Sequence, residues 1–141
     1  MPVNLTLLDR YSSVHLQSGL NWGYSTGHVC LDDAYIPLKT NTIRTNPQLF
    51  ESISNNNTIS VTWDDGTVMT LLLEGRQIVN NRTYAKQISS YDDKSVLGTY
   101  FRNRLQVFNR QITLQDLLNY GRTDVTVIKT SCNSYMFDFH N

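Results

Sequence analysis

Two stretches of the chain gather side chains suited to reading a hydrogen-bonding surface. The first, Asn21-Trp22-Gly23-Tyr24-Ser25-Thr26-Gly27-His28, mixes amide, hydroxyl and imidazole groups with aromatics and two glycines. The second, Gly75-Arg76-Gln77-Ile78-Val79-Asn80-Asn81-Arg82-Thr83-Tyr84, carries two arginines, a glutamine and two asparagines. Arg pairs with guanine, and Asn or Gln with adenine, through two hydrogen bonds each, at about 1–3 kcal/mol of discrimination per good pair. Solvated loops use the same residue types, so from chemistry alone the two readings weigh equally.

Catalytic arrangements are harder to find. His15, His28 and His140 stand in no His-x-x-x-His or His-Glu pattern, which leaves a zinc site without support. There is no glycine-rich phosphate loop and no Gly-x-Ser-x-Gly elbow. Of the acidic pairs, Asp64-Asp65 reads as a turn and Asp92-Asp93 as a helix cap. Asp32-Asp33 is left over, but a pair without a third acid or a lysine nearby is a poor magnesium centre. Cys30 and Cys132 lie far apart and read as two reduced thiols. The expectation is no catalytic residue, no metal and no cofactor.

The elements that must position the two polar stretches follow from periodicity. Ile59-Ser60-Val61-Thr62-Trp63 alternates, Asp64-Asp65-Gly66 follows, and Thr67 to Leu73 is apolar and β-branched, which predicts a hairpin. Val125 to Lys129 and Tyr135 to Phe139 predict a second, closing around Ser131 to Ser134. Tyr35-Ile36-Pro37-Leu38 reads as a short edge strand, and Ser54-Asn55-Asn56-Asn57 as a loop. Three helices are expected. One starts at Asn46-Pro47 and sets Leu49, Phe50 and Ile53 on one face. Another follows Asp92 or Asp93 with a Leu97, Tyr100, Phe101, Leu105 stripe. The third opens on a Thr113-x-x-Asp116 capping box, turns Leu114, Leu117 and Leu118 inward and stops at Gly121. The fold class is mainly β with short helices, a small barrel rather than a parallel sheet.

A length of 141 residues, 40% hydrophobic and 17% charged, fits one domain with a real core. No apolar run approaches the roughly 20 residues that span a bilayer. Met1 to Arg10 lacks the order of a secretory signal, so a soluble, cytoplasmic domain without membrane contact is expected. The formal net charge of +0 gives no help to phosphate binding. The charge is uneven, however: residues 101–141 carry Arg102, Arg104, Arg110, Arg122 and Lys129 against Asp116, Asp124 and Asp138.

Several strings then fall into one order: Ser18-Gly19-Leu20-Asn21-Trp22-Gly23, Ala34-Tyr35-Ile36-Pro37-Leu38, Leu97-Gly98-Thr99-Tyr100-Phe101-Arg102-Asn103-Arg104-Leu105, Asp116-Leu117-x-x-Tyr120-Gly121-Arg122-Thr123-Asp124-Val125-Thr126 and Tyr135-x-x-Asp138-Phe139. Together they resemble the C-terminal domain of phospholipase-D-type type II restriction endonucleases, the NgoFVII and NgoAVII group, over about Ser18 to Phe139. The resemblance implies a B3-like DNA-binding pseudobarrel, an open seven-stranded barrel whose two arms hold double-stranded DNA in the major groove. It places Asn21, Trp22, Tyr24, Ser25, Thr26 and His28 on an N-terminal arm spanning Asn21 to Asp33. It places Arg76, Gln77, Asn80, Asn81, Arg82 and Thr83 on the second arm, with Lys39, Arg44 and Lys86 on phosphates. Where the family carries arginines before the Tyr-Ile-Pro strand, Tyr24 to Asp33 has none. Arg102, Arg104 and Arg122 either brace the barrel or touch the backbone of DNA, with bracing favoured for Arg122 beside Asp124.

In such enzymes a separate N-terminal phospholipase-D-type domain cuts the DNA with a His-x-Lys motif. No His here is followed two residues later by Lys, so that domain is expected to be absent from this chain, which would recognise DNA without cutting it. The expected organisation is a single domain over residues 1–141, with about 1–17 a leader or linker. The alternative reading is a small β-barrel module for single-stranded nucleic acid or carbohydrate, with Trp22, Tyr24 and Tyr84 as stacking platforms. A magnesium nuclease centred on Asp32-Asp33 is disfavoured.

Overall fold

The computed structural model describes residues 1–53 and 57–141. Of the expected Ser54-to-Asn57 loop, Ser54, Asn55 and Asn56 lie outside the described residues, and Asn57 already opens a strand. In chain order the elements are β1 (Val3–Thr6), a 3-10 helix (Gly19–Tyr24), β2 (Tyr35–Pro37), α1 (Thr40–Thr45), β3 (Asn57–Trp63), β4 (Val68–Glu74), β5 (Gln77–Val79), β6 (Arg82–Tyr84), β7 (Gln87–Ser90), α2 (Ser95–Leu105), α3 (Leu114–Tyr120), β8 (Asp124–Ser131) and β9 (Ser134–Asp138).

Seven strands form one mixed sheet in the order β1-β8-β9-β3-β4-β7-β2. All neighbours are antiparallel except β3 and β9, which run parallel with Val61 opposite Tyr135. The edge strands β1 and β2 approach each other, so the sheet curls into a nearly closed barrel, the B3-like pseudobarrel shape. β5 and β6 form a separate two-stranded hairpin.

Alternation decides which faces fill the barrel. Ile59, Val61 and Trp63 are buried while Ser60 is exposed, and Leu71 and Leu73 face them from β4. Trp63 lies edge-on to Phe101 and Phe137 and tilted against Tyr100, with centroids 4.5–5.6 Å away. Asp65 accepts from the Thr67 backbone N–H at 3.0 Å, which fixes the β3–β4 turn as expected. Leu97 and Phe101 of the α2 stripe are fully buried, and Tyr100 and Leu105 pack partly against them. Asp93 accepts from the backbone N–H and hydroxyl of Ser95 where α2 begins. The Thr113–Asp116 capping box forms, and α3 ends at Gly121.

Two expectations change. The helix assigned to Asn46-Pro47 lies before those residues: α1 ends at Thr45, and the Asn46 N–H and side chain both bond Thr42 O. Proline disfavours helical backbone at the residue before it, so Pro47 acts here as a stop rather than a start. Leu49, Phe50 and Ile53 are buried all the same, from an irregular segment. Leu118, expected inward on α3, is 54% exposed. Within the first residues, Val3–Thr6 pairs with Asp124–Val127, and Leu5 and Leu7 are buried.

Candidate nucleic-acid interface

The second polar stretch becomes a projecting hairpin. At its base Gly75 has φ +73, and a Cβ there would lie 3.0 Å from that of Lys86, so glycine suits the position twice over. β5 and β6 pair Gln77 with Tyr84, Ile78 with Thr83 and Val79 with Arg82. Asn80 and Asn81 close the turn with φ of 51 and 66, the double left-handed geometry of a tight hairpin that Asn tolerates. One face is anchored: Val79 and Tyr84 are buried, Tyr84 Oη donates to Pro47 O, and Ile53 N–H donates to Thr83 O. Arg76, Asn80, Asn81 and Arg82 are exposed, and their side chains make no hydrogen bond among the described residues.

Beside this hairpin lies the segment leaving β2. Leu38 N–H donates to Lys86 O at 2.8 Å, extending the β2–β7 ladder toward the hairpin base. Helix α1 follows, burying Ile43 and exposing Thr40, Asn41 and Arg44. Gln77, expected as a base reader, is instead a clamp between the two segments. Its Nε2 donates to Leu38 O and Ala85 O at 2.8 and 2.9 Å, and its Oε1 accepts from Thr40 Oγ1 at 2.9 Å.

Electrostatics single out the same end. Six of the 12 Lys and Arg side chains are ion-paired: Lys94, Arg102, Arg104, Arg110, Arg122 and Lys129. Of the remaining six, Arg10 lies elsewhere, against Tyr11. The other five, Lys39, Arg44, Arg76, Arg82 and Lys86, all belong to residues 38–46 and 75–86, which contain no Asp or Glu. Among the described residues none of the five forms an ion pair, so the cations are concentrated here in a chain of formal net charge +0.

The first polar stretch is placed differently. β2 and β7 are antiparallel with Tyr35 opposite Ser89 and Pro37 opposite Gln87. Residues before Tyr35 therefore leave at the opposite end of this ladder from the hairpin, which precedes Gln87. They dock on α2 instead: a Cβ on Gly98 would lie 1.7 Å from Asp32 O, and Thr99 Oγ1 donates to Asp32 at 3.0 Å. Most of the side chains expected to read bases are already engaged. Asn21 is fully buried, donating to His15 O and Ile112 O and accepting from Ile112 N–H. Trp22 packs edge-on against His28 and Tyr35, and His28 Nδ1 lies 2.7 Å from Asp33. Ser25 Oγ donates to Trp22 O, and Tyr24 lies under the Arg102 guanidinium. Thr26 is exposed. The two stacking platforms Trp22 and Tyr84 are thus taken up by packing, and Asp32-Asp33 is spent on Thr99, Arg102 and His28.

The three undecided arginines brace the barrel. Arg102 is buried and donates to Val107 O and Arg110 O. Arg104 forks onto Asp64 at 2.8 and 3.0 Å and also reaches Phe139 O. Burial works to raise the Asp64 carboxyl, but Arg104 and the Phe139 N–H outweigh it and hold it below its ordinary range. Arg122 bonds Asp124, Thr126 Oγ1 and His140 O. Among the described residues no three His, Cys, Asp or Glu side chains gather closely enough to hold a metal, and no helix is long and apolar enough to cross a membrane.

Sequence reasoning passed over Thr40 and Asn41. Their only signal was a polar Thr-Asn-Thr run directly after the Tyr-Ile-Pro strand. A family model described as the NgoFVII C-terminal B3-like DNA-binding domain matches residues 1–131. No curated protein matches the chain.

Proposed function

Because the chain belongs to the NgoFVII C-terminal B3-like DNA-binding domain family, we propose that it recognises a specific double-stranded sequence by seating residues 38–46 and the β5–β6 hairpin as two arms in the major groove. That groove is about 12 Å wide and admits a two-stranded ribbon or a helix. Arg76, Asn80, Asn81, Arg82 and Thr83 read base edges from the hairpin, and Asn41 reads from α1. Lys39, Arg44 and Lys86 hold phosphates. Residues 21–33 support the scaffold from its far end, where Thr26, Val29 and Leu31 stay exposed. DNA cutting belongs to a separate phospholipase-D-type nuclease domain, for which this domain supplies the target sequence.

The observation that carries this reading is the gathering of five cations, none ion-paired among the described residues, on two adjoining, acid-free segments of a chain whose formal net charge is +0. Such a patch attracts a polyanion, and phosphate neutralisation supplies the affinity on which base reading is built. The test is selection of duplexes from a random pool by the full chain, followed by gel shift of the selected duplex, its scrambled version and each single strand. A preference for the selected duplex of at least about a thousandfold over the scramble is expected. Equal retention of duplex and single strand, or no enrichment, overturns the proposal.

A further inference from the structure

The hairpin carries one side chain that base-edge hydrogen bonding does not explain. Ile78 sits in the middle of β5 and is 76% exposed, although both of its strand neighbours, Gln77 and Val79, turn inward. Its cross-strand partner is Thr83, so a sec-butyl group and a threonine side chain stand side by side on the outward face. Strand alternation puts Arg76 on that face as well, and the Asn80-Asn81 turn lies directly beyond it. The opposite face of the hairpin is closed by Val79, Tyr84 and the Pro47 carbonyl. The outward face is therefore open to a partner, and it is an apolar step framed by an arginine and two amides; the exposed Arg82, opposite Val79, extends from the other face.

Cationic and amide groups around an apolar centre match one feature of the duplex. In the major groove the only apolar group on a base edge is the C5-methyl of a pyrimidine, which lies among the acceptors and donors that Arg and Asn address. We infer that Ile78, with Thr83 beside it, seats the C5-methyl group of a pyrimidine and so makes a methylated pyrimidine distinguishable from its unmethylated counterpart at one position of the site. The inference rests on the duplex-binding reading above and adds to it an atom-level specificity contact. Thymine and 5-methylcytosine both supply the group.

Duplex selected by the wild-type chain is resynthesised with each thymine in turn replaced by uracil, and separately with each cytosine in turn replaced by 5-methylcytosine. Binding is measured for the wild type and for Ile78→Ala, whose fold is checked by circular dichroism and thermal melting. Burying one methyl corresponds to about a fourfold change in Kd. A position where uracil weakens wild-type binding by about that factor, with the difference erased in Ile78→Ala, supports the inference with thymine as the source. A position where 5-methylcytosine tightens wild-type binding, again erased in the variant, supports it with methylcytosine as the source. If no position responds, or the response survives in Ile78→Ala, the inference is overturned and duplex binding stands. If no duplex is selected at all, both fall together.

Discussion

Gln77 Nε2 donates to the carbonyl oxygen of Leu38 at 2.8 Å, a bond that spans 39 positions of sequence. With the Ala85 and Thr40 contacts, and alongside the Leu38–Lys86 backbone bond, it joins the hairpin to the start of α1 and helps set the spacing of the proposed arms. Gln77→Ala leaves two shielded carbonyls without their donor, at a cost of about 1–3 kcal/mol each when nothing replaces it. The expected outcome is lower stability in urea and weaker binding of selected and scrambled duplex by the same factor. A variant that loses only selectivity contradicts the clamp role.

Arg82 and Lys86 separate reading from holding. Arg82→Ala is expected to lose about 1–3 kcal/mol on the selected duplex and to relax preference at one base pair. Lys86→Ala is expected to weaken every duplex alike and to lower the slope of log K against log salt by about 1. Salt titrations of both variants on selected and scrambled DNA distinguish the two roles.

Asn21 is expected to matter for folding alone. Its amide satisfies both backbone groups of buried Ile112, so Asn21→Ala strands polar groups with no water to take over. A loss of about 2–4 kcal/mol is expected from these unmade bonds. At low temperature, where the variant remains folded, its Kd for DNA should equal that of the wild type. A specific loss of DNA affinity there would return Asn21 to the interface.

Asp116 gives an acid dependence of known sign. The Arg110 fork, with the Thr113 backbone N–H and against the opposing pull of burial, lowers its carboxyl to about 2. A carboxyl depressed by folding stabilises fully above its unfolded value of about 3.9, and that contribution is lost as pH falls through the folded value. The stability difference between wild type and Asp116→Asn should therefore be constant above pH of about 5 and shrink between pH of about 4 and about 2. Chemical denaturation at each pH measures it, and a difference unchanged across that window contradicts the assignment.

The sequence made local features legible wherever one residue type answers one geometric need. Asp65-Gly66 between alternating runs and the Thr113–Asp116 pair each formed as their chemistry requires. Pro47 was ambiguous because proline both begins and ends helices, and only the Thr42 carbonyl, bonded by Asn46, shows which happened. The polar stretches were harder. Asn21 and Gln77 look alike in sequence whether their amides await a base or are already bonded to carbonyls, and here both are bonded. Nor does position before Tyr35 reveal which end of an antiparallel ladder a segment occupies; the pairing of Tyr35 with Ser89 decides that.

The ladder joining Gln77–Val79 to Arg82–Tyr84 shares no strand with the seven-stranded sheet. Its outer residues can thus be exchanged while the barrel keeps its hydrogen bonds, and new specificities become reachable without first passing through unfolded intermediates in mutational space. Randomising positions 76, 78 and 82 while keeping Gln77, Val79, Tyr84 and the Asn80-Asn81 turn makes this domain a scaffold on which target preference evolves separately from foldability.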